Sequence, residues 1–384
     1  MKFVVCSDLH LGAKKFGKVD KETDCDLGLR DTLNCFDAVI DFVIDNRVPL
    51  FFIAGDIYKN ASPSALEHRE FAKRIKRLSE RDGQTYIVLG NHDIYYREGS
   101  YHAISYLQEL QLPNIKIIDK PQVIELEDGL EGIVRFLLIP YQHQAKLEGK
   151  NVVEYYEQVV DLFYKKSKAN SKKFCIGHQL VAGAQIGSWL ASAGANEPII
   201  PIKLFEKFNA TILGHVHVPQ MLNKEKQIVY CGAVDRLTFG DVAGERGFVY
   251  YSEGDLKLMK VPTRKFLDFK FKVNTSEDVN EMMRKIALEI KSDCAVKISI
   301  DTNEDCLKLI EVSKIIEIAK KAYYVFTPCP FLSIQRKKEA RSEINEETNI
   351  VEALEKYVTK VIKVEDSKEL IERGIQIIKE MEVQ

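Results

Sequence analysis

The chain has 384 residues, 45% of them hydrophobic and 29% charged, an ordinary globular balance with length enough for two or three domains. A net charge of −2 excludes a global basic field, so a polyanion would have to be gripped by local patches or by bound metal. No apolar run reaches the length of a membrane span, no signal peptide is expected at Met1-Lys2-Phe3, and eight scattered cysteines without a CxxC pair suggest a reduced, cytoplasmic protein.

Apolar runs and helical patterns alternate from the start. Residues 2–5 read as a first strand. Asp31 to Asn46 is expected to be helical, because Leu33, Phe36, Val39, Ile40 and Val43 fall on one face. Residues 49–54 form a second, buried strand. Ser62 and Pro63 look like the cap and first-turn proline of a helix that stops before Gly83. Residues 85–89 are a third strand. A helix is expected over Val152 to Lys168, then strands at 173–176, 210–213, 227–231 and 247–251. This alternation predicts a layered α/β fold with helices on the sheet faces.

The pattern changes near Pro262. Strand 267–273, helix Glu277–Lys291, strand 295–300, helix Asp305–Lys321 and strand 323–326 make a second unit of about sixty-five residues, within the usual range for a small domain. A basic stretch, QRKKEAR, follows Pro328 and Pro330. Two amphipathic helices close the chain, one with Val351, Leu354, Val358 and Val361 in phase, the other with Ile371, Ile375, Ile378 and Met381.

The chemistry gathers after five strands. These ends carry Asp8 and His10, then Asp56, then Asn91 and His92, then His178, then His215 and His217. Five of the chain's eight histidines are here. His68 and His102 are expected to be structural, and His143 has no assigned role. In Asp8-x-His10 and His215-x-His217 the period-two spacing points both side chains to one side. Open α/β sheets bind ligands beyond the carboxyl ends of their strands, so all five sets should converge on one edge. Two carboxylates, one amide and four imidazoles suit manganese, iron or zinc better than calcium. They are too many for one small site but fit two metals bridged by a carboxylate, an arrangement that clamps a phosphate for in-line attack. Each motif alone is a weak signal, while the ordered set is a strong one.

Asp8-x-His10, Gly55-Asp56, Gly90-Asn91-His92-Asp93, Gly177-His178 and Gly214-His215-x-His217 resemble the signature of the calcineurin-like metallophosphoesterases, over about residues 1 to 217. The resemblance implies an α/β two-sheet sandwich flanked by helices rather than one open sheet. It implies that Asp8, His10, Asp56 and His217 hold one metal. Asp56, Asn91, His178 and His215 would hold the other, with Asp56 bridging. His92 would stay off the metals and face the scissile phosphate, and Asp93 is expected to orient the loop or His92.

A narrower likeness follows. GDIYKNASPSA lacks the arginine usual in protein phosphatases of this superfamily. CGAVDRLTFGDVAGERGFVYY and VPTRKF resemble segments of SbcD-type nuclease subunits of double-strand-break repair complexes. That likeness implies a nuclease domain over 1–265, a small α+β DNA-capping domain over 266–330, and over 331–384 a linker and helices that dock on an SbcC-type coiled-coil ATPase. It implies two Mn2+ ions, a homodimer, 3′-to-5′ exonuclease activity on duplex DNA and endonuclease activity on single strands. Some relatives carry a second histidine where Lys59 stands here. Tyr58, Lys59, Tyr95, Tyr96 and Arg97 are candidate DNA contacts. So are two basic clusters, Lys165 to Lys173 and Arg336 to Arg341. Two rival readings are a phosphoesterase acting on small molecules or phosphoproteins, and a non-catalytic scaffold; the scaffold would be expected to lack ligands.

Overall fold

A strand whose residues are apolar on both faces must be covered on both faces. Strand β1 (Lys2–Cys6) shows this directly: Phe3 and Val5 enter one core while Val4 and Cys6 enter another. The computed structural model describes residues 1–13, 19, 25–95, 102–129, 132–144, 147, 149, 151–186, 189–190, 197–242, 244–327, 329–334, 351, 354–355, 358 and 367–382. Its order continues with α1 (Leu27–Asp45), β2 (Leu50–Ala54), α2 (Ala65–Ser79), β3 (Gln84–Val88), α3 (Tyr106–Glu109), β4 (Ile115–Ile118), β5 (Gln122–Asp128), β6 (Gly132–Ile139) and α4 (Val152–Lys165). Then come β7 (Lys172–Gly177), β8 (Gln185–Ile186), β9 (Trp189–Leu190), β10 (Ala210–Leu213), β11 (Gln220–Asn223), β12 (Ile228–Tyr230), β13 (Gly247–Ser252) and β14 (Asp255–Lys260).

Two six-stranded sheets result. One has the order β14-β13-β1-β2-β3-β4, the other β11-β12-β10-β7-β6-β5. Strands β1 to β4 run parallel, as do β6, β7, β10 and β12, so the carboxyl ends within each set point the same way. Between the sheets lies an aromatic core. Phe3 meets Phe136 and Phe174 edge-on, at 5.2 Å each, and stacks on Tyr251 at 4.6 Å. The outer face of the first sheet packs on α1 and α2, and that of the second on α4. The architecture is therefore a two-sheet α/β sandwich flanked by helices, as the resemblance implied.

The chain divides into two compact units, Met1–Asp268 with Lys291–Lys297 and Ala322–Phe326, and Phe269–Ile290 with Ile298–Lys321 and Thr327–Gln384. Beyond β14 the elements are β15 (Lys265–Val273), α5 (Ser276–Glu289), β16 (Cys294–Thr302), α6 (Glu304–Leu307), α7 (Val312–Ala319), β17 (Tyr324–Val325) and β18 (Phe331–Ile334), with a terminal helix over Ser367–Glu382. Strands β15 to β18 form one sheet.

Local chemistry corrects several expected boundaries. Helix α1 begins at Leu27 rather than Asp31, because the Asp26 carboxylate accepts from the Gly28 and Leu29 amides at 2.8 and 3.2 Å. Helix α2 is capped by Ser64, not Ser62, and Glu67 completes a capping box. The single helix expected over Asp305–Lys321 is two, α6 and α7. Ile310 and Ile315 are both buried but five residues apart, about 140° around a helix, so one continuous helix would expose one of them. Of the first terminal helix only Val351, Leu354, Glu355 and Val358 are described, and Val361 lies outside the described residues. In the second, Gly374 lies so near Leu354 that an added Cβ would stand 2.5 Å from its Cδ2. The stretch Arg336 to Arg341 also lies outside the described residues. No helix among the described residues is long and apolar enough to cross a membrane.

Replacing Phe3 by alanine should cost about 3–5 kcal/mol, the usual range for deleting a buried phenyl ring. Chemical denaturation should show a lower midpoint with an unchanged slope.

Candidate metal centre

The five polar strand ends meet at one edge of the sandwich. Asp8 and His10 follow β1, Asp56 follows β2, Asn91 and His92 follow β3, His178 follows β7 and His215 and His217 follow β10. Backbone hydrogen bonds lace these loops together: Asp8 N–H donates to Gly55 O (3.0 Å), His10 N–H to Asp56 O (3.0 Å) and Gly214 N–H to Gly177 O (2.9 Å). The second sheet reaches the first through His178, whose Nδ1 donates to Ala54 O at 2.7 Å.

All seven expected donors come together. His10 Nε2 and His217 Nε2 are 3.1 Å apart, and Asp8 Oδ1 is 3.9 Å from His10 Nε2. Asp56 Oδ2 lies 3.5 Å from His10 Nε2 and 3.3 Å from His178 Nε2, between the two sets. On the far side, Asn91 Oδ1 is 3.1 Å from both His178 Nε2 and His215 Nδ1. Facing imidazole nitrogens, a shared amide oxygen and a carboxylate oxygen between them are lone-pair donors turned toward common points. That donor set fits two divalent cations with Asp56 common to both. Asp8, His10, Asp56 and His178 are at most 2% exposed, while Asn91, His92, His215 and His217 are half-buried and form the accessible rim.

The electrostatics follow from that burial. Burial opposes the charge of Asp56, but His178, His10 and His92 around it hold its carboxyl well below the usual carboxylate range. Burial holds His10 well below the usual histidine range against the pull of Asp56. His178 is also buried, yet Asp56 beside it pushes its imidazole up to about 10.

Four of the donors occupy strained backbone. Asp8 (φ 54°), His10 (φ 43°), Asp56 (φ 56°) and His215 (φ 92°) lie in the left-handed region that side-chain-bearing residues rarely adopt. Each costs of order 1–3 kcal/mol and persists because its surroundings fix it. Asp93 supplies much of that fixing at Asp56. Its wholly buried carboxylate accepts from the amides of Asp56 (2.9 Å), Ile57 (2.9 Å), Tyr58 (3.3 Å) and Gly90 (2.9 Å). It orients the loops, as expected. Gly90 is required by proximity: a Cβ there would stand 2.2 Å from Asp56 Oδ1.

His92 stands beside the donors, its ring 4.9 Å from that of His10. Its Nδ1 donates to the Lys59 carbonyl at 2.7 Å, which leaves Nε2 as the free ring nitrogen. Lys59 thus contributes through its backbone, with its side chain exposed. Tyr58 is a correction. Its ring is wholly buried and its hydroxyl bonds to His68 Nδ1 and Tyr106 Oη, both 3.2 Å away, so it packs the core and has no face for a nucleotide. Tyr95 is half-buried and its hydroxyl pairs with Ser62 Oγ. Tyr96 and Arg97 lie outside the described residues. Of the lysine cluster, Lys173 is a correction, and the rest lies away from the donors. Lys172 opens β7 and His178 follows its end, so the cluster sits roughly 20 Å from the donors at the usual strand rise. Lys173 is buried and donates to the carbonyls of Lys168 and Ser171, a structural role.

Two neighbours carried no sequence signal. Glu197 Oε1 is 3.1 Å from His215 Nε2, and the Tyr141 ring stacks near His215 at 6.2 Å. Neither lies in a recognisable motif, and only the fold brings them in.

A two-sheet sandwich with seven nitrogen and oxygen donors at its joined strand ends defines a metallophosphoesterase. A family model for calcineurin-like phosphoesterases matches residues 1–219, and the chain belongs to that family of hydrolases. It is similar to exonuclease subunit 1 of Enterobacteria phage T4, 23% identical over 297 residues that cover 76% of this chain and 78% of that protein. It is similar to the DNA double-strand break repair protein Mre11 of Methanocaldococcus jannaschii, 25% identical over 308 residues covering 74% and 73%. The D subunit of nuclease SbcCD of Escherichia coli K12 is 22% identical over 278 residues covering 67% and 66%.

Replacing Gly90 by alanine should displace Asp56 and abolish high-affinity binding of two metals, while the far-ultraviolet circular dichroism stays that of the native fold. Metal analysis after gel filtration checks this; two retained equivalents would contradict it.

Proposed function

We propose that this protein is a divalent-metal-dependent DNA nuclease, manganese-loaded, and the catalytic subunit of an ATP-regulated DNA-end-processing complex. The observation that carries the reading is the double donor set around Asp56 Oδ2, with His92 beside it. Support for DNA as the substrate comes from the three relatives, which are named as nucleases or DNA-break repair proteins. Two of them are named as subunits, which supports a partner.

When bound, two divalent cations supply Lewis acidity at the phosphate and an activated water for in-line displacement. Asp8, His10, Asp56 and His217 would hold one, and Asp56, Asn91, His178 and His215 the other. The chain's own contribution is positional. The strained loops fix the donors before substrate arrives, so little reorganisation is needed on binding. With Nδ1 engaged by Lys59 O, the His92 ring presents Nε2 toward the site. In the imidazolium form Nε2 also carries a proton, placed to pass to the leaving 3′ oxygen of the cleaved phosphodiester and leaving the neutral ring with its Nδ1–H on Lys59 O. The paired terminal helical segments, close at Gly374 and Leu354, supply the surface for a coiled-coil ATPase partner.

Incubation of end-labelled duplex DNA with manganese should give 3′-to-5′ degradation that chelator stops. His92→Ala should lower turnover by about 10²–10⁴-fold, the usual range for a lost general acid, while retaining both metals. Equal activity of the variant and wild type would refute the role of His92. Hydrolysis of small phosphodiesters or phosphomonoesters with none of DNA would refute the nuclease reading.

A further inference from the structure

We propose that Glu197 is a positioning residue for the metal ligand His215, and that its carboxylate tunes the affinity of the second metal site selectively. The inference rests on the two-metal reading above and goes beyond its seven donors. Both ring nitrogens of His215 are engaged. Nδ1 faces the donor side, 3.1 Å from Asn91 Oδ1, and Nε2 faces Glu197 Oε1 at 3.1 Å. An imidazole that ligates a metal through one nitrogen carries its proton on the other, and the acceptor for that proton fixes the tautomer and the ring plane. Glu197 is that acceptor.

Two neighbouring histidines differ. His178 and His92 each donate Nδ1–H to a neutral backbone carbonyl, Ala54 O and Lys59 O, at 2.7 Å. His215 instead faces a carboxylate, whose full negative charge makes the imidazole a stronger donor and offsets part of the cation's charge. His215 lies on left-handed backbone, with its amide held by both oxygens of Asp8 at 3.1 Å and its ring edge-on to His178 at 5.2 Å. The Asp8 contact fixes the main chain, while the contact with Glu197 and the nearby Tyr141 ring act on the ring plane itself.

Glu197 is itself anchored. Three residues on, Ile200 bridges Val181, with Ile200 N–H donating to Leu180 O (2.8 Å) and Ala182 N–H to Ile200 O (2.9 Å). Leu180 lies two residues beyond His178. The segment bearing Glu197 is thus stitched to the loop bearing the other imidazole of the same metal set.

The test is calorimetric titration of Mn2+ into metal-free full-length protein, with no DNA present. Wild type should take up two equivalents. Glu197→Ala should keep one at wild-type affinity and bind the other about 10–100-fold more weakly, the usual effect of losing such a partner. Glu197→Gln, which keeps an acceptor oxygen without the charge, should fall between them. The metal-free unfolding midpoint should be the same in all three. Wild-type affinity at both sites in Glu197→Ala would overturn the proposal while leaving the two-metal reading intact. Loss of both sites together with a lower metal-free midpoint would show a purely structural role and also overturn it. Fewer than two equivalents in wild type would overturn the two-metal reading and this inference with it.

Discussion

The structure depends on one buried carboxylate. Asp56 is 2% exposed, lies between His10 and His178, and is reached by residues from both sheets. An isolated charge in that position would be prohibitively costly. It is stabilised by imidazoles on two sides and by the His92 amide, which donates to Oδ1 at 2.9 Å. Divalent cations held by these donors would add to that compensation. Much of the surrounding architecture holds this oxygen in place: Asp93 gripping the loop from below, Gly90 passing within van der Waals distance, and the parallel strands delivering neighbours to the same edge.

Such a site is locally unfavourable. Four donors sit on left-handed backbone, and several polar groups are removed from water. The core between the sheets offsets this. Phe3, Phe52, Phe136 and Phe174 form a contiguous aromatic layer with Tyr251, and each fully buried aromatic contributes a few kcal/mol. The stable part of the molecule and the strained part are adjacent along the same strands. In β2, Leu50 to Ala54 is entirely buried packing, and the next two residues, Gly55 and Asp56, leave ordinary backbone geometry for the site. The centre also grades from inside to outside. Asp8, His10, Asp56 and His178 form a dry floor, and Asn91, His92, His215 and His217 an accessible rim. Both carboxylates of the donor set lie in the floor, and three of the five nitrogen and amide donors lie in the rim with His92. Glu197 stands on the outer side of His215, its side chain about one-third exposed while that of His215 is mostly buried.

The seven donors and His92 were legible in the sequence because strand ends carry their own punctuation: an apolar run, a glycine, then a carboxylate, amide or imidazole. The two-sheet arrangement was not legible from periodicity, which gives alternation but not strand order, and it came instead from the resemblance of the motifs. Position relative to a motif was a poor guide to exposure. Tyr58 lies two residues from Asp56 yet points into the core, because Asp56 sits on left-handed backbone and the period-two rule of an extended segment does not carry across it. The lysines before β7 read as a basic patch, but strand length alone carries them to the far end of the sheet.

The sequence by itself determined which atoms are available for chemistry and that they follow strands, because residue type and hydrophobic period are local properties. Only the tertiary structure decided which oxygen is shared, which ring nitrogen of each histidine faces the donors, and that Glu197 stands behind His215. Those depend on χ angles and on contacts between segments far apart in the chain, and no local pattern of residues encodes a distance across a fold.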